Sequence, residues 1–145
     1  MNLGYQKSKT SILIPMRSLN EGKTRLSNLL SPNKREKLIK LLFTQLLKKL
    51  KSLKNQFPLI FSDILVITPC EEVEKISKDF HVYVLKEQNL NGLNSAVNKG
   101  ICWSSENLYD SCLILPGDII DPETEDIKKI LEMGKKSKNS MVICP

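Results

Sequence analysis

The fold of this chain is decided by the stretch ILIPMR at residues 12–17, where an apolar run ends in a proline and a cation. A short apolar run of this kind is typical of a buried strand, and the polar residues after it are typical of a loop. That loop carries Lys23 and Arg25. Because open α/β sheets bind ligands outside the carboxyl ends of their strands, the spaced cations indicate a site that attracts phosphate. The alternative is that they are ordinary solvated loop cations.

Strands and helices are predicted to alternate along the rest of the chain, from short apolar runs and from amphipathic spacing respectively. The predicted strands are 11–16, 64–68, 82–85, 112–115 and 141–144, and the predicted helices are 32–54, 71–79, 93–104 and 122–136. This alternation predicts a Rossmann-like α/β fold, with a mostly parallel sheet and helices on both faces. We expect a polar tail over residues 1–10 and one α/β domain over residues 11–145.

The net charge of +6 is concentrated in one predicted helix. Residues 34–54 hold eight Lys or Arg and one Glu, so the rest of the chain sums to −1. Such a helix could lie on an anionic membrane or on nucleic acid. However, its apolar stripe is needed by the sheet, and no aromatic residues alternate with its lysines. A solvated outer face is therefore the favoured interpretation, and neither a membrane nor nucleic acid is the expected partner.

The cysteines give no sign of a metal site or of disulfide bonds. Cys70, Cys102, Cys112 and Cys144 form no C-x-x-C pair, and His81 is the single histidine. A structural zinc site needs four nitrogen or sulfur ligands, usually in close pairs. The first ten residues also lack the apolar segment of a secretory signal. We therefore expect reduced cysteines and a cytoplasmic protein.

Two later segments repeat the pattern of a strand that ends in polar residues. The run NGLN at residues 91–94 follows the third strand, and its Gly92 permits close approach of a ligand or a positive φ. Asn94 can read a base or a ribose, although a plain turn with an asparagine cap explains the same residues. Asp118 follows the fourth strand and suits Mg²⁺, or it only shapes the turn. Asp121 is a further candidate ligand, but capping the helix at 122 is the favoured role.

Taken in order, these segments resemble the 2-phospho-L-lactate guanylyltransferase family of coenzyme F420 biosynthesis. IPMRSL at 14–19 with KTRL at 23–26 is similar to the family's opening I-P-x-K-x-L…K-x-R-L, with Arg17 where the family usually has lysine. GLNSA at 92–96 is similar to its G-L-N-x-A, and LPGD at 115–118 to its L-P-x-D. The family usually continues with Leu-Pro, whereas this chain has Ile119 and Ile120.

The resemblance implies an enzyme, a nucleotidyltransferase of the glycosyltransferase-A-like kind. It would transfer GMP from GTP to a small phosphorylated acid and release pyrophosphate. The acceptors we consider are 2-phospho-L-lactate, phosphoenolpyruvate and 3-phosphoglycerate. A homodimer is compatible with the sequence.

The resemblance also implies roles for individual residues. Lys23 and Arg25 would hold the triphosphate, Leu93 and Asn94 would lie against the guanosine, and Asp118 would bind Mg²⁺. Lys23, Arg25 and Asp118 form the expected catalytic set. The expected nucleotide-binding residues are Pro15, Arg17, Lys23, Arg25, Gly92, Leu93, Asn94 and Pro116.

Two alternatives stay open beside this interpretation. Another nucleotidyltransferase of the same fold, of the molybdenum-cofactor or sugar-phosphate type, usually has a glycine-rich loop after its first strand, and this chain has none there. The second alternative is a non-catalytic remnant, or a basic binding domain that uses residues 34–54. The family continues past a strand such as 141–144 into a G-T-N segment and further strands, so we expect the C-terminal part of the family to be missing here.

Overall fold

The computed structural model describes residues 8–88, 92–136, 139 and 141–143. Its strands and helices alternate as the sequence predicts, and their ends differ from the predicted ends by a residue or two. In chain order they are β1 (Thr10–Pro15), α1 (Pro32–Gln56), β2 (Asp63–Thr68), α2 (Glu71–Asp79), β3 (Tyr83–Lys86), α3 (Leu93–Glu106), β4 (Ser111–Ile114) and α4 (Thr124–Lys135). A single 3-10 turn at Thr24–Leu26 lies in the long loop between β1 and α1.

The four strands form one parallel sheet with the order β3-β2-β1-β4. β1 is one of the two inner strands, and its Leu13 stands in register with Leu65 of β2 and with Ile114 of β4. The chain moves outward in one direction from β1 to β3 and then returns to place β4 on the other side of β1. The strand order therefore reverses between β1 and β4, and the crevice above their carboxyl ends is where this architecture binds ligands.

The two faces of the sheet are covered by different helices, which confirms the predicted layers. Successive side chains of a strand point to opposite faces. Ile12 and Ile14 pack with buried residues of α1, α2 and α4. Leu13 points to the other face, where it packs with Leu65, Ile67 and Ala96 of α3. β1 is completely buried from Ser11 to Ile14, so it anchors both layers.

The basic helix α1 buries the apolar stripe that its sequence predicts. The buried side chains recur every three or four residues, and they are Ile39, Leu42, Phe43, Leu46, Leu47, Leu50 and Leu53. Several of its cations are engaged by neighbouring elements. Lys40 pairs with Glu72 of α2 at 2.5 Å, and Lys49 pairs with Asp121. These ion pairs neutralise part of the positive charge of α1, and its solvated outer face stays a prediction.

A pair of stacked aromatic rings lies near the amino ends of the strands, on the side of the sheet away from their carboxyl ends. Trp103 of α3 is half-buried and stacks on Tyr109, with ring centroids 5.3 Å apart. The Tyr109 hydroxyl donates to Asp63 at the start of β2, over 2.7 Å. Burial and the Asp63 carboxylate raise the pKa of Tyr109. This contact therefore contributes stability below the pKa of an unfolded tyrosine, and that contribution is lost as the pH rises above it.

The predicted fifth strand is wrong for residues 141–143, which lie outside the sheet, while Cys144 lies outside the described residues. Met141 and Ile143 are 84% and 76% exposed. A strand needs a neighbouring strand to satisfy its backbone hydrogen bonds, and an apolar run alone does not supply one. None of the helices in the described part of the chain has a stretch long and apolar enough to cross a lipid bilayer.

Gly117, just after β4, allows β4 to approach the end of β1. A Cβ atom at this position would lie 2.5 Å from Met16 Sδ and 3.3 Å from Ile14 Cγ2. We predict that Gly117→Ala lowers the free energy of unfolding by about 1–3 kcal/mol, because the added methyl group forces the two strand ends apart. Urea denaturation followed by circular dichroism measures this change.

The matched control is Gly134→Ala on α4, where an added Cβ meets no atom within 4 Å. Alanine is the better helix former, so this variant should gain about 0.5 kcal/mol. If Gly117→Ala is as stable as Gly134→Ala, the close approach of β1 and β4 is not required.

Candidate active site

A cavity of about 460 Å³ lies above the carboxyl ends of the strands. Its walls come from residues that follow β1, β3 and β4 and from the start of α3. Ile39, Ile67, Leu93 and Ala96 form its apolar surface. Its polar side chains are Arg17, Ser18, Glu21, Glu87 and Asp118. A mostly apolar recess with a few convergent polar groups at this position is the expected form of a ligand site in an α/β protein.

A larger groove of about 820 Å³ lies along the outside of α3. It is bordered by Leu85, Lys86, Lys99 and Trp103. None of the site residues predicted from the sequence lines it, and it lies beside a strand instead of above the strand ends. We therefore assign the functional site to the smaller cavity.

The loop after β1 is tied to β2 before it reaches the cavity. The Met16 N–H donates to the Ile67 carbonyl at 2.9 Å, and the Thr68 hydroxyl donates to the Arg17 carbonyl at 3.2 Å. These bonds fix the backbone of Arg17. Its guanidinium lies beside Gly92, where a Cβ atom would be 3.5 Å from Arg17 Nη2. Gly92 has a φ of +89°, which side chains rarely adopt, so glycine suits both the turn and the approach.

Lys23 and Asp118 join the loop after β1 to the loop after β4. The Lys23 Nζ lies 3.6 Å from Asp118 Oδ2, and both side chains are between one fifth and one third exposed. Lys23 has a left-handed backbone, with φ 54° and ψ 37°, immediately before the 3-10 turn. A non-glycine residue in this region is uncommon and is often found at functional sites. The pair places one cation and one carboxylate at the mouth of the crevice between β1 and β4.

The cavity has balanced charge. Arg17 lines it, and Lys23 and Lys99 pair with two of its carboxylates, Asp118 and Glu87, from outside the lining. Three carboxylates, Glu21, Glu87 and Asp118, line it. A polyanion such as a nucleoside triphosphate would therefore meet no net positive charge from these side chains. A bound divalent cation would supply the missing neutralisation, and a carboxylate with access to the cavity is the ligand type that Mg²⁺ prefers.

The residues of the cavity suit a magnesium ion whose coordination shell is completed by substrate oxygens. Within the described residues there is no group of three or more His, Cys, Asp or Glu that could enclose a metal ion. Mg²⁺ is commonly held by one or two carboxylates, with waters and substrate phosphates completing its shell. Asp118 alone satisfies that requirement.

The described cysteines, Cys70, Cys102 and Cys112, are free thiols, and Cys144 lies outside the described residues.

The structure brings together some of the residues predicted from the sequence and leaves others outside the cavity. Five of the predicted residues line the cavity, namely Pro15, Arg17, Gly92, Leu93 and Asp118. Lys23 does not line it but contacts Asp118. Three predicted residues are exposed and do not line it, namely Arg25, Asn94 and Pro116. Asn91 lies outside the described residues. The roles predicted for all of these residues stay predictions.

The favoured role for Asp121 is wrong. α4 begins at Thr124 with Glu123 at its N-cap, so Asp121 does not cap this helix. Asp121 stands in the turn before the helix with a φ of 39°, and its carboxylate pairs with Lys49 of α1. It does not line the cavity, so it is not placed to assist Asp118.

Sequence reasoning missed Glu21 and Glu87. The side chain of Glu87 is only 4% exposed and pairs with Lys99. Glu87 directly follows β3, so the rule that pointed to Arg17 and Asp118 at strand ends could have found it. It was missed because residues 86–92 read as an ordinary polar loop. Glu21 lies in the long loop after β1, where no local signal separates it from solvated neighbours.

The structure is that of an α/β protein with a parallel sheet whose strand order reverses between β1 and β4, and with a cavity at that reversal. A crystal structure provisionally described as a nucleotide-diphospho-sugar transferase from Desulfovibrio desulfuricans G20 matches with a TM-score of 0.60 and 17% sequence identity. The match covers 86% of this chain and 54% of that structure. At this identity the likeness supports the fold alone.

The chain belongs to the family described as "Guanylyl transferase CofC like", whose profile matches residues 10–145. It is 33% identical over 142 residues to a 2-phospho-L-lactate guanylyltransferase of Methanosphaera stadtmanae, covering 95% of this chain and 57% of the relative. It is 31% identical over 137 residues to a 3-phospho-D-glycerate guanylyltransferase of Colwellia psychrerythraea, covering 94% and 62% respectively.

A third relative is named a phosphoenolpyruvate guanylyltransferase, from Thermobaculum terrenum. It is 26% identical over 135 residues, covering 93% of this chain and 55% of the relative. The chain thus spans somewhat more than half the length of the curated relatives that it matches. The family resemblance found in the motifs is confirmed.

The cavity geometry predicts that Arg17 dominates the attraction of phosphate. Replacing Arg17 with methionine removes the guanidinium but keeps most of the side-chain length. We expect binding of inorganic tripolyphosphate to weaken about tenfold or more, since charge-assisted hydrogen bonds contribute roughly 1.5–3 kcal/mol each. Isothermal titration calorimetry in the presence of Mg²⁺ measures the affinity.

Lys37→Met on α1 is the control, because it removes one positive charge without touching the cavity lining. Its affinity should stay within about twofold of the unsubstituted chain, as expected for a screened surface charge. If both variants lose affinity equally, tripolyphosphate binds according to the overall charge of the chain and not specifically in this cavity.

Proposed function

We propose that this chain carries the nucleotide-binding part of a guanylyltransferase of coenzyme F420 biosynthesis. The reaction transfers GMP from GTP to a small phosphorylated acid and releases pyrophosphate. The observation that carries the proposal is the convergence of Arg17, Lys23 and Asp118 at the reversal of strand order, within a chain that matches a guanylyltransferase family over residues 10–145.

The chemistry needs no nucleophile from the protein. An oxygen of the acceptor's phosphate attacks the α-phosphorus of GTP and forms a new P–O bond. The bond between the α-phosphorus and the bridging oxygen to the β-phosphorus breaks, and pyrophosphate leaves with the bonding electrons. The protein then has to position the two phosphates and neutralise their charge. Side chains of the kind found in this cavity suit that task.

Each part of the cavity has a proposed role in this reaction. Arg17 and Lys23 would bind the oxygens of the triphosphate, and the exposed Arg25 on the neighbouring turn would add a further contact. Leu93 and Asn94 would lie against the guanosine at the start of α3. Pro15, Gly92 and Pro116 would shape the backbone of the nucleotide pocket at the ends of their strands.

Mg²⁺ is the proposed cofactor, and Asp118 is its proposed ligand. When bound, the ion would supply positive charge to the phosphate oxygens. Lys23, 3.6 Å from the same carboxylate, would orient Asp118 and remain within reach of a phosphate oxygen. The balanced charge of the cavity supports this assignment, because the side chains alone do not neutralise a triphosphate.

The proposed acceptor is a three-carbon acid that carries one phosphate and one carboxylate. The relatives are named for 2-phospho-L-lactate, 3-phospho-D-glycerate and phosphoenolpyruvate, which share these two groups. Acceptor and GTP are therefore both polyanions, so together they carry more negative charge than the side chains of the cavity neutralise, which supports a divalent cation as cofactor. We further propose a cytoplasmic location, where GTP and such acids are available, and a homodimer as the assembly.

The magnesium role is tested by Asp118→Asn, which keeps the size of the side chain and removes its charge. We expect the affinity for GTP in the presence of Mg²⁺ to fall about tenfold or more, while the affinity without Mg²⁺ changes little. The ratio of the two affinities, measured by calorimetry with and without Mg²⁺, isolates the metal from the loss of the Lys23 contact.

Asp121→Asn is the matched control. It makes the same change three residues further on, at a carboxylate that pairs with Lys49 and does not line the cavity. For this variant, the ratio of the GTP affinities measured with and without Mg²⁺ should equal that of the unsubstituted chain. The proposed role of Asp118 is excluded if the Asp118→Asn variant keeps its Mg²⁺ dependence.

A further inference from the structure

Glu87 is a buried carboxylate in the wall of the cavity. Its side chain is 4% exposed. Its backbone N–H donates to the Thr68 carbonyl at 2.9 Å, which extends the pairing of β3 with β2 by one residue. The backbone therefore fixes where Glu87 stands. Burying a carboxylate costs free energy unless hydrogen-bond donors replace its water.

One donor comes from the protein. Lys99 of α3 donates from Nζ to Glu87 Oε1 at 3.2 Å, and Lys99 is itself 41% exposed on the groove side of the helix. Within the described part of the chain, no hydrogen bond reaches Glu87 Oε2. Because Glu87 lines the cavity, a ligand with hydrogen-bond donors can reach this carboxylate and bind to it.

We propose that Glu87 selects the purine base of the nucleotide, favouring guanine over adenine, an inference that rests on the proposed function. The Watson–Crick edge of guanine presents two adjacent donors, N1–H and the N2 amino group. An ionised carboxylate offers only acceptors, so it matches both of them. The same edge of adenine presents an acceptor at N1, which would face the carboxylate lone pairs. Glu87 would thus both attract guanine and repel adenine.

The surroundings of Glu87 include an apolar surface that suits a base. Gly92, Leu93 and Ala96 line the same cavity at the start of α3, and they offer an apolar surface for a purine ring. The Lys23–Asp118 pair belongs to the loops after β1 and β4, at the reversal of strand order. The two carboxylates therefore serve different ends of the nucleotide, Glu87 the base beside β3 and Asp118 the phosphates beside β4.

The test compares GTP, ITP and ATP, each titrated with Mg²⁺ into the intact chain by calorimetry. ITP differs from GTP only by the missing N2 amino group. A matched bidentate pair discriminates against the wrong base by roughly 5- to 150-fold, so GTP should bind about tenfold or more tighter than ITP, and tighter still than ATP. Glu87→Gln replaces one acceptor by a donor. It should bring the GTP and ITP affinities to within about twofold of each other and strengthen ATP binding.

Glu74→Gln is the matched control. It makes the same change at a carboxylate of α2 that is 19% exposed and is also paired with lysine, but does not line the cavity. It should preserve the preference for GTP over ITP. Thermal melting reports whether each variant is folded. If Glu87→Gln does not fold, Glu87→Asp is used instead. Glu87→Asp should reduce the preference for GTP over ITP, because the shorter side chain places the carboxylate further from the base.

The outcomes separate this inference from the proposed function. Equal affinities of the unsubstituted chain for GTP and ITP overturn the role of Glu87, and so does an unchanged GTP preference in the folded Glu87 variant. If the unsubstituted chain binds none of the three triphosphates with Mg²⁺, the proposed function fails and this inference fails with it. Loss of the GTP preference in the Glu87 variant, but not in Glu74→Gln, supports the inference.

Discussion

The parallel pairing of β1 with β2 on one edge and with β4 on the other is the constraint on which the rest of the structure depends. β1 is buried on both faces, with Ile12 and Ile14 facing α1 and Leu13 facing α3. The carboxyl end of β1, at Pro15, and the residues that follow it line the cavity. Because β4 lies directly beside β1, residues that follow the two strands become neighbours although about a hundred positions separate them in the chain. The Lys23–Asp118 contact is the direct result.

Much of this architecture could be predicted from the sequence, because the signals are local. The leucine pattern of α1 and the short apolar runs of β1, β2 and β4 identify elements without knowledge of their partners. The rule that ligands bind at strand ends then pointed to Arg17 and Asp118. The predictions that failed concern contacts between residues that are distant in the chain. The apolar run at 141–143 is not a strand because no strand in the described part of the chain pairs with it. Asp121 pairs with Lys49 of α1 instead of capping α4.

The site itself was only half predictable for the same reason. Motifs identified the residues of the cavity that follow strands, but they gave no indication of which loop residues turn inward. Arg25, Asn94 and Pro116 belong to the motifs and are exposed, whereas Glu87 belongs to none and is buried. Glu87 accepts a hydrogen bond from Lys99, which lies twelve residues further along the chain. Balanced charge in the cavity is likewise a property of the folded arrangement, and it is the physical reason to expect a divalent cation.

The measurement that tests the central claim most directly is calorimetric titration of the unsubstituted chain with GTP and with ATP, each in the presence and absence of Mg²⁺. The claim is that the residues gathered by β1, β3 and β4 form a guanine nucleotide site that needs a divalent cation. It predicts one saturable site for GTP that weakens strongly when Mg²⁺ is removed, and clearly weaker binding of ATP. Equal binding of the two nucleotides, or GTP binding that is indifferent to Mg²⁺, would contradict it.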